Sequence, residues 1–188
     1  MNFNGKSDKL FLIIPVAIIV VSVLCVAWAA LSGERSIYKY ADRICVAARK
    51  FDLDPALVAA VAKAESGFDK DAVSEKGAVG LMQLLPGTAE YVADKIGYDE
   101  RIRLDDPQCN ITLGSAYLRY LFEKFDGEFE VLCAYNAGEG RVRGWLEDEA
   151  LSSDGKTLTA VPFRETREYV ARVLKYKRQF AGSFAKSR

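Results

Sequence analysis

The sequence predicts an all-α domain over residues 36–182, set behind an apolar N-terminal segment expected to form a transmembrane helix. Three observations carry that expectation. Apolar side chains recur at i, i+3, i+4 and i+7, as at Ile37, Tyr40, Ala41, Ile44, Ala47, Ala48 and Phe51, which is the spacing of one helix face. Asp54-Pro55 and Asp106-Pro107 each read as an N-cap followed by proline at the first helical position. Alternation of β-branched residues at period two is confined to one short candidate strand, Leu158 to Val161, and no internal repeat is found.

Taken in chain order, the first element is Leu10 to Leu31, a run without a charged residue, interrupted only by Pro15 and Ser22. A bilayer core of ~30 Å needs about 20 such residues in a helix. Lys6 and Lys9 precede the run and Glu34 and Arg35 follow it, which favours a cytoplasmic N-terminus. The alternative is a cleavable signal peptide, since Ala27-Trp28-Ala29 loosely resembles a cleavage site, although the run exceeds the ~7–15 residues of a signal core. Lipid attachment at Cys25 is disfavoured by Val23-Leu24 before it. Residues 1–35 are thus expected to be a short tail, membrane anchor and linker, with residues 36–182 on the extracytoplasmic side of the cell membrane and 183–188 as a C-terminal tail.

Within the domain, Asp54-Pro55 opens a helix whose sequence, "ALVAAVAKAESG", is apolar almost all round until Glu65, and Gly67 closes it. Ser74 to Gly80 is a loop with two glycines. A helix is expected from about Thr88 to Ile96, then one from Pro107 to near Asp126-Gly127. Glu128 to Tyr135 is a further short helix ended by Asn136-Ala137-Gly138, followed by one over Gly140 to Glu147. Ser152 to Lys156 is a polar loop, and Phe163 to Phe180 is the last helix.

Composition narrows the chemistry. Half of the 188 residues are hydrophobic, Lys and Arg number 26 against 26 Asp and Glu, and histidine is absent. A balanced charge gives no support to nucleic-acid binding. Without histidine there is no Ser-His or Cys-His catalytic pair and no histidine-ligated metal site. Cys45, Cys109 and Cys133 match no zinc spacing and read as buried free thiols, so neither metal nor cofactor is expected.

Among the groups that remain, Glu65 ends the most apolar helix. Desolvation and the negative end of the helix dipole both favour its protonated form, as a general acid requires, although an exposed helix-end glutamate is the ordinary alternative. Gln83 stands alone among apolar residues and must find partners, either a ligand or the loop backbone. Tyr135 and Asn136 lie at a helix end closed by Gly138, where a wedge and a helix terminator are the ordinary readings. Glu165, in the first turn of the last helix, complements the helix dipole.

In order, the stretches "ESGF", "AVSEKGAVGLMQLLPGTA", "AYNAG" and "PFRETREYV" closely resemble the soluble lytic transglycosylase family, whose catalytic domain is like goose-type lysozyme. The resemblance covers roughly Ile37 to Ala181. It implies a lysozyme-like helical fold and cleavage of peptidoglycan between N-acetylmuramic acid and N-acetylglucosamine. It further implies Glu65 as the single catalytic acid and base. Ser74, Met82, Gln83, Tyr135 and Asn136 would bind the glycan, and Ser66, Glu165 and Tyr169 would support the site, Glu165 from beneath. Many relatives carry methionine before the proline of the second motif, where this chain has Leu85.

The implied mechanism also accounts for the single acid. Glycosidases ordinarily need two carboxylates. Here the sugar's own 6-hydroxyl would attack, leaving a 1,6-anhydro end, and well-oriented intramolecular attackers reach effective molarities of ~10⁵–10⁸ M. Asp69, Asp71 and Glu75 then read as solvated loop charges. A hydrolytic muramidase on the same fold and a non-catalytic glycan-binding module are the alternatives. The expected partners are glycan strands and, through residues 10–31, the membrane, with a monomer as the expected state.

Overall fold

The computed structural model describes residues 20–21 and 39–184, and within 39–184 the chain forms seven helices. Residues 39–50 form α1. It is followed by α2 (Pro55–Ser66), α3 (Pro86–Ile96), α4 (Pro107–Phe122), α5 (Glu128–Ala137), α6 (Glu139–Glu147) and α7 (Arg164–Phe180). Among the described residues no helix is long and apolar enough to cross a membrane. The span expected at residues 10–31 lies outside the described residues, apart from Val20 and Val21, and so does Cys25.

The helix boundaries follow from local chemistry. Asp54 Oδ1 accepts the Ala56 N–H at 2.9 Å, and Asp106 Oδ1 accepts the Cys109 N–H at 2.9 Å, so both Asp-Pro pairs act as cap and first residue. Gly67 stops α2 in the left-handed conformation, with φ of 64°. Helix α3 begins at Pro86, two residues before the expected start, because Pro86 itself fills the first helical position. Helix α4 ends at Phe122 and gives way to a turn, short of the expected Asp126-Gly127.

The candidate strand Leu158 to Val161 is not a strand. This segment is irregular, held by the Leu158 N–H donating to Glu130 Oε1 at 2.9 Å and the Thr159 N–H donating to the Leu151 carbonyl at 2.8 Å. Side-chain and loop acceptors satisfy the backbone there, so no ladder is needed. The extended pairing that does occur lies in the loop between α2 and α3, as isolated bridges of Val79 with Val73 and with Leu84.

Helix α2 is the structural centre: Ala56 to Ala62 are all buried, and α7 packs along it. Helices α3 and α4 pack together, α4 meets α5, and α5 is flanked by α6 and α7. Tyr40, Ile44, Ala47 and Ala48 of α1 are buried, as the spacing requires. Cys109 and Cys133 are buried free thiols, whereas Cys45 is half-buried.

Candidate active site

Glu65 and Ser66 lie in the last turn of α2, where a largely apolar helix meets the α2–α3 loop. The Ser66 hydroxyl is shared between the Leu81 carbonyl at 2.8 Å and the Ala62 carbonyl at 3.2 Å, which fastens the helix end to that loop. Burial pushes the Glu65 carboxyl up to about 7, from an ordinary 4.5. Tyr169 and Arg172 pull the other way and Glu165 adds to the rise, so the carboxyl is poised between its two protonation states near neutral pH.

The three residues of α7 that act on Glu65 are spaced i, i+4, i+7, on one helix face. Tyr169 is 1% exposed, and its hydroxyl is close enough to influence the carboxyl, yet it closes no hydrogen bond within 3.5 Å. Glu165 is exposed in the first turn of α7, so it is not a buried prop beneath the site; it acts on Glu65 through its charge.

The α2–α3 loop supplies the opposite wall. Ser74 Oγ accepts the Ala78 N–H at 3.0 Å and the Ser74 N–H donates to the Ala78 carbonyl at 2.9 Å, pinning the turn at Gly77. Gln83, at the unusual φ of 47°, donates from Nε2 to the carbonyls of Ala72 and Gly80, both at 3.0 Å. The carboxamide nitrogen is therefore committed to the loop backbone, which leaves Oε1 as the side-chain atom open to a ligand. Asp69, Asp71 and Glu75 are exposed.

Met82 departs from the expectation of a groove-facing side chain. It is 0% exposed and lies over Gly114 of α4, where an added Cβ would come within 2.4 Å of the Met82 sulfur. The space beside a glycine on α4 is the apolar hole that accepts the side chain, so Met82 contributes only its backbone to the site. Its carbonyl accepts the Tyr135 hydroxyl at 2.8 Å, and its N–H donates to Asn110 Oδ1 at 2.8 Å.

Two of the groups that build this wall are ones that the sequence reading missed. Asn110 is 0% exposed and fully engaged: Nδ2 donates to the carbonyls of Val79 and Leu104, both at 2.9 Å, while Oδ1 takes the Met82 N–H. Gly80 is obligatory beside it, because a Cβ there would lie 2.3 Å from Asn110 Nδ2. The signal was an amide set between Cys109 and Ile111, in a run whose neighbours are buried. Tyr117 was also missed. Its ring lies 5.3 Å from that of Tyr135.

Tyr135 and Asn136 sit half-buried in the last turn of α5. Burial, with the nearby Glu65 charge second, pushes the Tyr135 phenol well above its usual range, so it stays a neutral donor. Glu65, Ser66, Gln83, Tyr135 and Tyr169 are thus gathered from one loop, two helix ends and a face of α7. Among the described residues no three Cys, Asp or Glu side chains gather as a metal-binding group.

This arrangement can offer a weak acid to a ligand and take the proton back, with a phenol and an amide beside it. Comparison with known proteins places the first three of the four motifs within one family's domain. The family described as Transglycosylase SLT domain matches residues 42–157. The soluble lytic murein transglycosylase of Escherichia coli strain K12 is 41% identical over 122 residues, which is 62% of this chain and 19% of that protein. The membrane-bound lytic murein transglycosylase C of Cronobacter sakazakii is 34% identical over 164 residues, 74% of this chain and 46% of that protein. Among solved structures, a complex of the 70-kDa soluble lytic transglycosylase with bulgecin A superposes with a TM-score of 0.71 at 31% identity, covering 81% of this chain and 25% of that one. The lytic transglycosylase Slt of Pseudomonas aeruginosa, in an inactive mutant form, gives 0.65 at 35% identity, over 76% of this chain and 24% of that one. The chain therefore spans less than half the length of these relatives.

Proposed function

The chain belongs to the transglycosylase SLT domain family, and from that premise we propose that it cleaves the glycan strands of peptidoglycan without adding water, leaving 1,6-anhydro-N-acetylmuramic acid ends. The observation that carries this reading is Glu65, a carboxyl at the end of α2 that desolvation holds at about 7. In this reading, protonated Glu65 gives its proton to the oxygen linking N-acetylmuramic acid to N-acetylglucosamine. Positive charge develops at the anomeric carbon as that bond breaks. The Glu65 carboxylate then removes the proton of the same sugar's 6-hydroxyl, whose oxygen closes onto the anomeric carbon. One carboxyl serves twice, and a group held near neutrality is suited to both steps.

The surroundings of Glu65 support the second role as well as the first. Arg172 and Tyr169 favour its anion, which limits the cost of the ionised state, while burial favours the acid. Ser74, Gln83 through Oε1, Tyr135 and Asn136 would hold the sugars, Ser66 would keep the end of α2 in place, and Tyr169 and Glu165 would tune the acid. The uncharged run at residues 10–31 supports attachment to the cell membrane with this domain on the outer side.

Digestion of purified sacculi, with products analysed by mass spectrometry, tests the proposal. Anhydro ends are expected from the wild-type chain, with a loss of about 10²–10⁴-fold in rate for Glu65→Gln. Products heavier by one water would assign hydrolysis instead. Binding of glycan with equal biological function in Glu65→Gln would assign a non-catalytic role.

A further inference from the structure

A row of tyrosines leads away from the catalytic groove. From Tyr135 the ring contacts run to Tyr117 at 5.3 Å, from Tyr117 to Tyr120 at 6.3 Å, and from Tyr120 to Tyr91 at 5.4 Å. Tyr135, Tyr117 and Tyr120 are half-buried, whereas Tyr91 is 45% exposed, so the row emerges at the surface between α3 and α4. At that end two ammonium groups lie over the rings. Lys95 Nζ is 4.9 Å from the centre of Tyr91 and 5.7 Å from that of Tyr120, and Lys124 Nζ is 5.2 Å from Tyr120.

Neither lysine has a carboxylate within 4.0 Å among the described residues. Glu139, an acid of this cluster, is already engaged. It accepts the Tyr120 hydroxyl at 2.7 Å and Arg143 Nε and Nη2 at 2.9 and 2.8 Å. The exposed ring faces are thus covered by cations, which suits an anion better than the apolar face of a sugar. Beside them is a cavity of about 350 Å³, lined by apolar Phe51, Val92, Ile96 and Ala116 together with Lys95, Arg119, Tyr120 and Glu123. Asp52 and Glu123 hold Arg119, so Lys95 is the cation of the cavity left for a ligand.

We propose that Tyr91, Tyr120, Lys95 and Lys124, with the adjoining cavity, form a subsite for the acidic peptide stem carried by the glycan strand. A stem brings carboxylates for the two ammonium groups and small aliphatic side chains for the apolar lining. The tyrosine row keeps this subsite continuous with the catalytic groove. The inference rests on peptidoglycan being the substrate.

The test compares the full chain with its Lys95→Ala/Lys124→Ala variant on two substrates, glycan strands bearing stems and strands stripped of them by an amidase. Both lysines are exposed and hold no carboxylate within 4.0 Å among the described residues, so the variant keeps its fold. The preference for stem-bearing strands, read as the ratio of kcat/KM values, is expected to fall about fivefold or more, as loss of two exposed charge contacts implies. An unchanged ratio, including equal losses on both substrates, overturns the subsite. Free stem tetrapeptide titrated into each chain by NMR separates this result from the proposed reaction. Shifts at Tyr91 and Lys95 that vanish in the variant support the subsite even where no strand is cleaved. Absence of shifts in the wild type overturns it even where anhydro products form.

Discussion

Asn110 and Met82, far apart in sequence, are joined by a hydrogen bond of 2.8 Å from the Met82 N–H to Asn110 Oδ1. Through this one contact α4 sets the position of the loop that faces Glu65. Met82 in turn presents its carbonyl to the Tyr135 hydroxyl, and the Leu81 carbonyl takes the Ser66 hydroxyl, so α2, α4 and α5 meet on the two peptide units that flank Met82. The Asn110 side chain is an internal template for backbone that has no regular structure of its own.

Replacement of Asn110 by Ala is expected to cost about 3 kcal/mol or more. It strands the Met82 N–H and the Val79 and Leu104 carbonyls in a site that is 0% exposed, and each buried unpaired group costs about 1–3 kcal/mol. Urea denaturation measures the loss. A change below 1 kcal/mol would mean that water or a shifted loop satisfies all three groups.

Gly114→Ala sets two effects against each other. In an exposed helix interior the change gains about 1 kcal/mol. In α4 the new methyl would lie 2.9 Å from Met82 Cβ as well as 2.4 Å from its sulfur, and the Cβ cannot swing away as the sulfur can. Overpacking of this kind costs about 1–3 kcal/mol, so net destabilisation is expected. A rise in the urea midpoint would show that the loop yields freely.

The elements that were legible in the sequence are those whose signals are local. Asp54-Pro55 and Asp106-Pro107 start helices, Gly67 ends one, and the period of Tyr40, Ile44, Ala47 and Ala48 marks a buried face. Glu65 stood out because its helix is apolar on every side. What escaped depends on contacts between distant segments. Met82 lies in a motif that suggests a groove wall, but the hole that takes its side chain is made by Gly114, on another helix. Asn110 looked like an ordinary polar residue in the first turns of α4, since nothing near it in sequence needs an amide. Leu158 to Val161 has strand-like residues, yet its partner is Glu130, a side chain on α5.

Tyr169→Phe removes a buried hydroxyl that closes no hydrogen bond in the structure, so little stability should be lost. The same hydroxyl draws the Glu65 carboxyl downward, and Arg172 then remains as the other downward influence. The Glu65 midpoint is expected to move further above about 7, shifting the alkaline limb of the pH–rate profile upward. A limb that stays in place would show that the phenol does not face the carboxyl during turnover.

The raised Glu65 carboxyl also makes stability depend on pH in a defined direction. Its ordinary value of 4.5 applies to the unfolded chain, and burial lifts it to about 7 in the folded one. Between those values the folded state holds a proton that the unfolded state has released, so stability falls as pH rises through this window. The fall amounts to about 3 kcal/mol and is complete above the folded value. Glu65→Gln fills the same space without a titrating group and should lack this component. Unfolding of both chains by urea at a series of pH values should therefore show the variant gaining on the wild type from about pH 4.5 to about pH 7, with a constant gap on either side. A gap that does not change across the window would mean that Glu65 ionises as it does in water, and would remove the acid on which the proposed reaction depends.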